Sequence, residues 1–258
     1  MKALVAIPAR LASTRLPDKP LADIGGLPMI VQVWRRAMEA DVGPVIVACG
    51  DPEIATAVQD HGGQAIMTDP DLPSGSDRIH AAVQEFDPAG DHDHIVNLQG
   101  DLPALDPAVV RTALEPLRAE GVDIATLVAE IQDPAEITDP NAVKAIVAFA
   151  PGQSVARALY FTRAAAPHGD GPYWHHIGIY AYRRAALARF VALQPSLLEQ
   201  RERLEQLRAL ENHMRIDAAR VDAVPLGVDT PEDLEKVRQQ FADGAFASFT
   251  GTGFMGRG

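Results

Sequence analysis

The 258-residue sequence predicts an α/β fold: a three-layer, Rossmann-like arrangement with a mostly parallel central sheet and an inserted antiparallel β lobe. Three observations carry this. Short apolar runs alternate with helix-length amphipathic segments, the pattern of repeated βαβ units. Runs such as PVIVA and HIVNL are almost continuously apolar, which suits strands buried on both faces. From about 125 to 183 the rhythm breaks into several strand-like segments with few helix signals, which reads as a lobe that caps the substrate and offers a dimer surface. Residues 1–242 form one domain in this reading, and 243–258 are a glycine-rich tail that adds little to the core.

The bulk numbers narrow the function. Basic residues number 23 against 35 acidic, a net charge of −12. An acidic chain lacks the basic face of a nucleic-acid binder, yet a local cationic cluster can still hold a small anion. Cys49 is the only cysteine, so no intrachain disulfide forms and a reducing cytoplasm is expected. No apolar run is long enough to span a membrane, and the N-terminus has no signal-peptide layout.

In chain order, a strand over 3–8 runs into ARLASTRLPDKPL, which carries Arg10, Arg15 and Lys19. The whole chain has only four lysines, so this loop is a local exception at the carboxyl end of a buried strand. In open α/β sheets that end is where ligands bind. The loop has neither a Walker glycine cradle nor a dinucleotide fingerprint. It would hold a polyphosphate through side-chain cations and backbone N–H groups; a solvated surface loop is the plainer alternative. A helix over 29–39, a strand over 44–48, a helix over 52–61 and a strand over 65–67 follow.

The segment LPSGSDRIHAAVQ places Ser74 and Gly75 before a helix and Arg78 in its first turn, suited either to reading a base edge or to ordinary capping. After the strand HIVNL come Gln99, Gly100 and Asp101. A carboxylate just past a buried strand can take a divalent cation or cap the next element, and Gly100 would let backbone approach a ligand closely. Asp91 and Asp93 precede the same strand. About seven residues at about 3.3 Å each put them roughly 20 Å away, on the opposite edge and in a solvated turn.

A helix over 107–120 and strands over 123–128, 143–149 and 177–182 come next. Alternation puts His176, Gly178, Tyr180 and Tyr182 on one face, a polar surface suited to a polyhydroxylated ligand. Helices over 184–193 and 197–210 follow, and on the second Glu205 and Gln206 lie off the apolar stripe, as surface residues. The last helix, over 231–241, starts at Asp229-Thr230-Pro231, where either Asp229 or Thr230 can cap. Asp229 could instead share a metal with Asp101 if the two segments converge.

Taken together, IPARLASTRLPDKPL, GLPMIVQVWRRA, SGSDRI, NLQGDLP, PNAVKAI, HHIGIYAYRR, LEQLR and GVDTPEDLE, in this order, resemble the 3-deoxy-manno-octulosonate (Kdo) cytidylyltransferase family. The resemblance covers about residues 3–238. It implies a dimeric nucleotidyltransferase that uses CTP and Mg²⁺ to make CMP-Kdo for lipopolysaccharide. By the same resemblance Arg10, Arg15 and Lys19 handle the triphosphate, and Asp101 and Asp229 bind the metal. Ser74, Gly75 and Arg78 lie near the cytidine, and Gln99 near the junction with the sugar. Arg163, His176, Tyr180, Glu205 and Gln206 hold the sugar acid, which reverses the pattern reading of the last two as surface residues. Leu102 stands where the family commonly has an acid, and SGSDR where SGTDR is frequent. A cytidylyltransferase for 8-amino-Kdo or sialic acid, or a glycosyltransferase on a similar sheet, are the alternatives.

Overall fold

The computed structural model describes residues 1–12 and 16–244. Arg15 and the tail beyond Gly244 lie outside the described residues. Strand β1 (Ala3–Ala9) leads through a cationic loop and a short 3-10 turn to a small hairpin, β2 (Asp23–Ile24) and β3 (Leu27–Pro28). Then come α1 (Met29–Glu39), β4 (Val45–Cys49), α2 (Pro52–Gln59), β5 (Gln64–Met67), α3 (Gly75–Phe86), β6 (His94–Asn97) and α4 (Pro107–Ala113). The second half contains β7 (Ile124–Glu130), α5 (Pro134–Thr138), β8 (Lys144–Val147), β9 (Val155–Thr162) and β10 (Trp174–Arg183). It ends with α6 (Arg184–Ala192), α7 (Leu197–Glu202), α8 (Leu207–Glu211), β11 (Ile216–Val221) and α9 (Pro231–Ala242).

One nine-stranded sheet runs in the order β5-β4-β1-β6-β10-β7-β11-β9-β8. The first four strands are parallel, as expected. β10 then runs against both β6 and β7, and β9 runs against β11, so the sheet is mixed rather than mostly parallel. The expected inserted lobe is likewise corrected. Its strands β7 to β10 belong to the main sheet, and β8 pairs with both β9 and the start of β10. The pairings β10-β7-β11-β9-β8-β10 therefore close into a ring. The physical reason is burial: six of the seven residues of β7 are buried, as for a strand in the middle of a sheet and unlike one at the edge of an appendage.

Alternation along the strands divides the core. Val5 and Ile7 of β1 join Val47, Val96, Leu127 and Ile179 under α1 and α4. Leu4 and Ala6 join Ile46, Ile95, Val128 and Tyr182 under α3 and α6. Each fully buried Leu, Val or Ile contributes about 1.5–3 kcal/mol. A third, smaller cluster of Ile24, Met29, Val228, Leu234 and Val237 fixes the start of α9 against the β2–β3 hairpin.

The single helix expected over 197–210 is two. At the start of α7 the Ser196 N–H donates to Glu199 Oε2 at 2.8 Å, and Arg203 takes a left-handed conformation (φ 55°) that ends the helix. Arg208 reaches back to Glu199 with two hydrogen bonds (2.9 and 2.5 Å), folding α8 onto α7. β9 and β11 are strands that the apolar pattern does not predict, because Arg157 and Arg220 interrupt it.

Candidate active site

At the carboxyl edge of the parallel strands, the ends of β1 and β6 and the starts of α3 and α9 enclose a cavity of about 450 Å³. Its lining includes Arg10, Lys19, Ser74, Gly75, Arg78, Gln99, Asp101 and Asp229, drawn from four separate stretches of the chain. The sheet brings them together because β1 and β6 are parallel neighbours, with Ala6 opposite Asn97, so their following loops emerge side by side.

Lys19 is the centre of this cluster. Asp18 adopts a left-handed conformation (φ 53°) that starts the 3-10 turn and directs the next side chain inward. The Lys19 ammonium donates to Asp101 Oδ2 at 3.0 Å, to Asp229 Oδ1 at 3.2 Å and to the Val228 carbonyl at 2.9 Å. Backbone fixes the same meeting point, since Val228 N–H donates to the Asp101 carbonyl at 2.9 Å. The ambiguity at the start of α9 resolves in favour of Thr230, which caps the helix in a reciprocal box with Asp233. Asp229 is one residue outside the cap and turns to Lys19.

Among the described residues no group of three His, Cys, Asp or Glu could hold a metal. Asp101 and Asp229 nonetheless offer oxygen donors to one cation, here the lysine ammonium. Two carboxylates fit Mg²⁺, which keeps waters and substrate phosphates as its other ligands.

Ser74 and Arg78 have structural duties as well as places in the cavity wall. Ser74 caps α3, accepting from Asp77 N–H at 3.2 Å and donating to Asp77 Oδ2 at 2.6 Å. Arg78 is 3% exposed, and its guanidinium donates to Thr68 Oγ1 and to the carbonyls of Asp69 and Pro70. It holds up the 68–70 loop rather than projecting a free fork into the cavity. The expected reason for Gly100 also changes. A Cβ there would sit 2.9 Å from the Pro8 carbonyl, so the close approach is to the protein's own β1.

The profile of the Cytidylyltransferase family matches residues 4–216. The chain is 64% identical to the 3-deoxy-manno-octulosonate cytidylyltransferase of Rhodospirillum rubrum, over 91% of this chain and 94% of that one. It is 66% identical to the protein of the same name from Parvibaculum lavamentivorans, over 93% and 92%. Among solved structures it is similar to CMP:2-keto-3-deoxy-manno-octonic acid synthetase complexed with CTP. The TM-score is 0.86 at 42% identity, covering 95% of this chain and all of that one. The chain belongs to the 3-deoxy-manno-octulosonate cytidylyltransferase family.

The residues that the family resemblance assigns to sugar form a second polar cluster beside the cavity. Gln99 lies between the two, lining the cavity while its amide donates to Asn97 Oδ1 at 3.3 Å. On β10 the rings of His176, Tyr180 and Tyr182 follow one another at 5.5 and 5.9 Å, on one face as alternation predicts despite an irregularity after Ile177. Burial, with His175 adding to it, lowers His176 to a pKa of about 3, so the ring is neutral at physiological pH. Burial, reinforced by the Glu205 charge, raises the Tyr182 hydroxyl, so it keeps its proton. Gln206 is 6% exposed, which corrects the surface reading from pattern. Once α7 ends at Arg203, the turn buries Leu204 and Gln206, while the Glu205 side chain stays about a third exposed.

Arg163 is held by its own neighbours, donating to the carbonyls of Glu202, Pro140 and Arg203. Leu102, the departure from the family pattern, is 8% exposed and packs in the core. Sequence pattern does not single out Ser76, Asn97 and Arg208, polar residues that the fold buries near this cluster. Their signals were present: Ser76 within SGSDR, Asn97 at the end of HIVN, and Arg208 closing LEQLR. Nothing in local pattern tells a buried polar residue that faces a site from one that only packs.

Proposed function

We propose that this protein transfers CMP from CTP to 3-deoxy-D-manno-octulosonate, giving CMP-Kdo and pyrophosphate for lipopolysaccharide biosynthesis. The observation that carries this reading is the convergence of Lys19, Asp101 and Asp229 in one cavity with Ser74 and Gly75, in a chain so similar to a synthetase complexed with CTP. The anomeric hydroxyl of the sugar acid attacks the α-phosphorus, and pyrophosphate leaves in line.

Both substrates are anionic, so positioning and charge neutralisation are the main demands. Arg10, from the end of β1, and Lys19 face the phosphates and stabilise charge building on the leaving pyrophosphate. Arg15 belongs to the same loop and to the same role. Ser74, Gly75 and the loop braced by Arg78 border the cytidine. Gln99 stands at the nucleotide–sugar junction. His176, Tyr180, Glu205, Gln206 and Arg163 bind and orient the sugar acid, with the neutral imidazole and phenols serving as hydrogen-bonding groups. Asp101 and Asp229 would hold Mg²⁺, which when bound would neutralise phosphate charge.

Burial of Leu102 supports a two-carboxylate site that does not call on an acid at that position. The working form in this reading is a cytoplasmic homodimer. Its surface lies on the 125–183 segment, where Leu159 of β9 is 61% exposed. A pyrophosphate-release panel tests the reaction: four nucleoside triphosphates crossed with Kdo, 8-amino-Kdo and sialic acid, with and without Mg²⁺. The proposal expects release with CTP and Kdo that depends on the metal. Equal rates with any triphosphate, or none with Kdo, would contradict it.

A further inference from the structure

Between the nucleotide cavity and the sugar cluster, one buried hydroxyl touches both. Ser76 is 2% exposed in the first turn of α3, directly after Ser74 and Gly75, which line the cavity. Its Oγ donates to Glu205 Oε2 at 2.9 Å, across 129 residues of sequence. It also interacts with the Tyr182 hydroxyl, which in turn interacts with Asn97, the partner of Gln99. A run of polar contacts thus leads from Gln99 through Asn97, Tyr182 and Ser76 to Glu205.

The far end of that run is incomplete. Glu205 Oε1 is buried without a hydrogen bond, although Arg208 Nη2 stands 3.8 Å away. The neighbouring Gln206 Nε2 is buried without a partner as well. A buried acceptor and a buried donor on adjacent residues are thus left without partners, a demand that hydroxyls of a bound sugar would meet.

We infer that Ser76 is a positioning residue for the acceptor: its hydroxyl holds Glu205 Oε2 so that Oε1 is presented to a hydroxyl of the sugar acid. This rests on the proposed function and names a residue which that reading leaves out. Because Ser76 rides on the helix whose start borders the nucleotide, placement of the carboxylate is tied to the nucleotide half of the site. Arg208, held by Glu199, stands 3.8 Å from Oε1, beyond hydrogen-bonding distance, and leaves it open to a ligand.

The test is steady-state kinetics of pyrophosphate release for Ser76→Ala, Ser76→Thr and the near-isosteric, weakly donating Ser76→Cys, with thermal melts alongside. The expected result for Ser76→Ala is a rise of about tenfold or more in KM for Kdo, with KM for CTP within about twofold. Ser76→Cys gives the same split at smaller amplitude, and Ser76→Thr, which keeps the hydroxyl, restores KM for Kdo. Equal rises in both KM values that Thr does not rescue, or unchanged kinetics in Ala and Cys, would overturn the inference. Wild-type turnover with Kdo is measured in the same assay. Its absence would contradict the proposed acceptor and this inference with it, whereas wild-type turnover beside an unchanged Ser76→Ala KM contradicts the inference alone.

Discussion

The two edges of the sheet carry the same ingredients and use them differently. At the amino edge Asp87, 5% exposed, meets Arg184 at 2.6 Å and His92 at 3.0 Å and accepts from the backbone N–H groups of Asp91 and His92. Nearby, Asp93 accepts from the N–H of Lys2 and pairs with the ring of His94. At the carboxyl edge Asp101 and Asp229 meet Lys19, but their side chains are 31% and 50% exposed and open onto a cavity. One edge is a lock, in which every carboxylate oxygen of Asp87 is engaged and the end of α3 is bolted to the start of α6. The other is a set of charges held close together and left open to exchange partners. Acid–base pairs alone do not mark a site; pairs with access to a shaped cavity do.

Substitutions should separate the edges. The largest effect belongs to Asp101→Ala and Asp229→Ala, each expected to cut pyrophosphate release by ~10³-fold or more while circular dichroism and melting temperature stay near wild type. Near-normal turnover in both would erase the distinction. Lys19→Ala should lower kcat by ~10²-fold and leave KM for the sugar acid nearly unchanged; a defect confined to sugar KM would move Lys19 out of the phosphate site.

At the amino edge Asp87→Ala should do the reverse. Breaking a buried ion pair costs about 3–5 kcal/mol of stability, read by urea unfolding, while kcat at a temperature where the fold persists changes little. A lost turnover with unchanged stability would mean that the lock has a catalytic role.

The most specific effect is in pH. His176 is held at a pKa of about 3 by burial, and so takes up its proton more readily in the unfolded chain. Its neutral form supports folding above about pH 6.5, and that support drains away as pH falls from there toward 3, by at most ~1.4 kcal/mol per pH unit. Asp87 adds a second loss lower down. Burial pushes its carboxyl up, but the N–H groups of His92 and Asp91, the His92 ring and Arg184 outweigh that and hold it well below its ordinary value. Its contribution is full above about pH 4 and lost below. Denaturant titrations from pH 8 to 4 should give a falling midpoint that His176→Asn flattens. An unchanged slope in that variant would remove His176 as its source.

Much of this contrast is legible in the sequence. Counting strand residues from Asp93 to Asp101 is enough to put the two acidic groups on opposite edges, because a strand's rise per residue is fixed. The cationic loop after β1 stands out against an acidic chain. Strand pairing across long gaps is not legible: nothing local in WHHIGIYAYR tells that β10 will lie between β6 and β7 and run against both. The α7–α8 break is hidden for a similar reason, since Arg203 in a left-handed turn is forced by the tertiary reach of Arg208 to Glu199 and not by a glycine. Glu205 and Gln206 therefore look like surface until the turn is seen.

The account's central claim is that the carboxyl-edge cavity is where the triphosphate binds. A crystal structure of the protein with CTP and Mg²⁺ tests it most directly. It should place the phosphates among Arg10, Lys19, Asp101 and Asp229 with the base beside Ser74 and Gly75, and leave the Asp87–Arg184 pair untouched. CTP bound anywhere else, with the Lys19–Asp101–Asp229 contacts undisturbed, would contradict it.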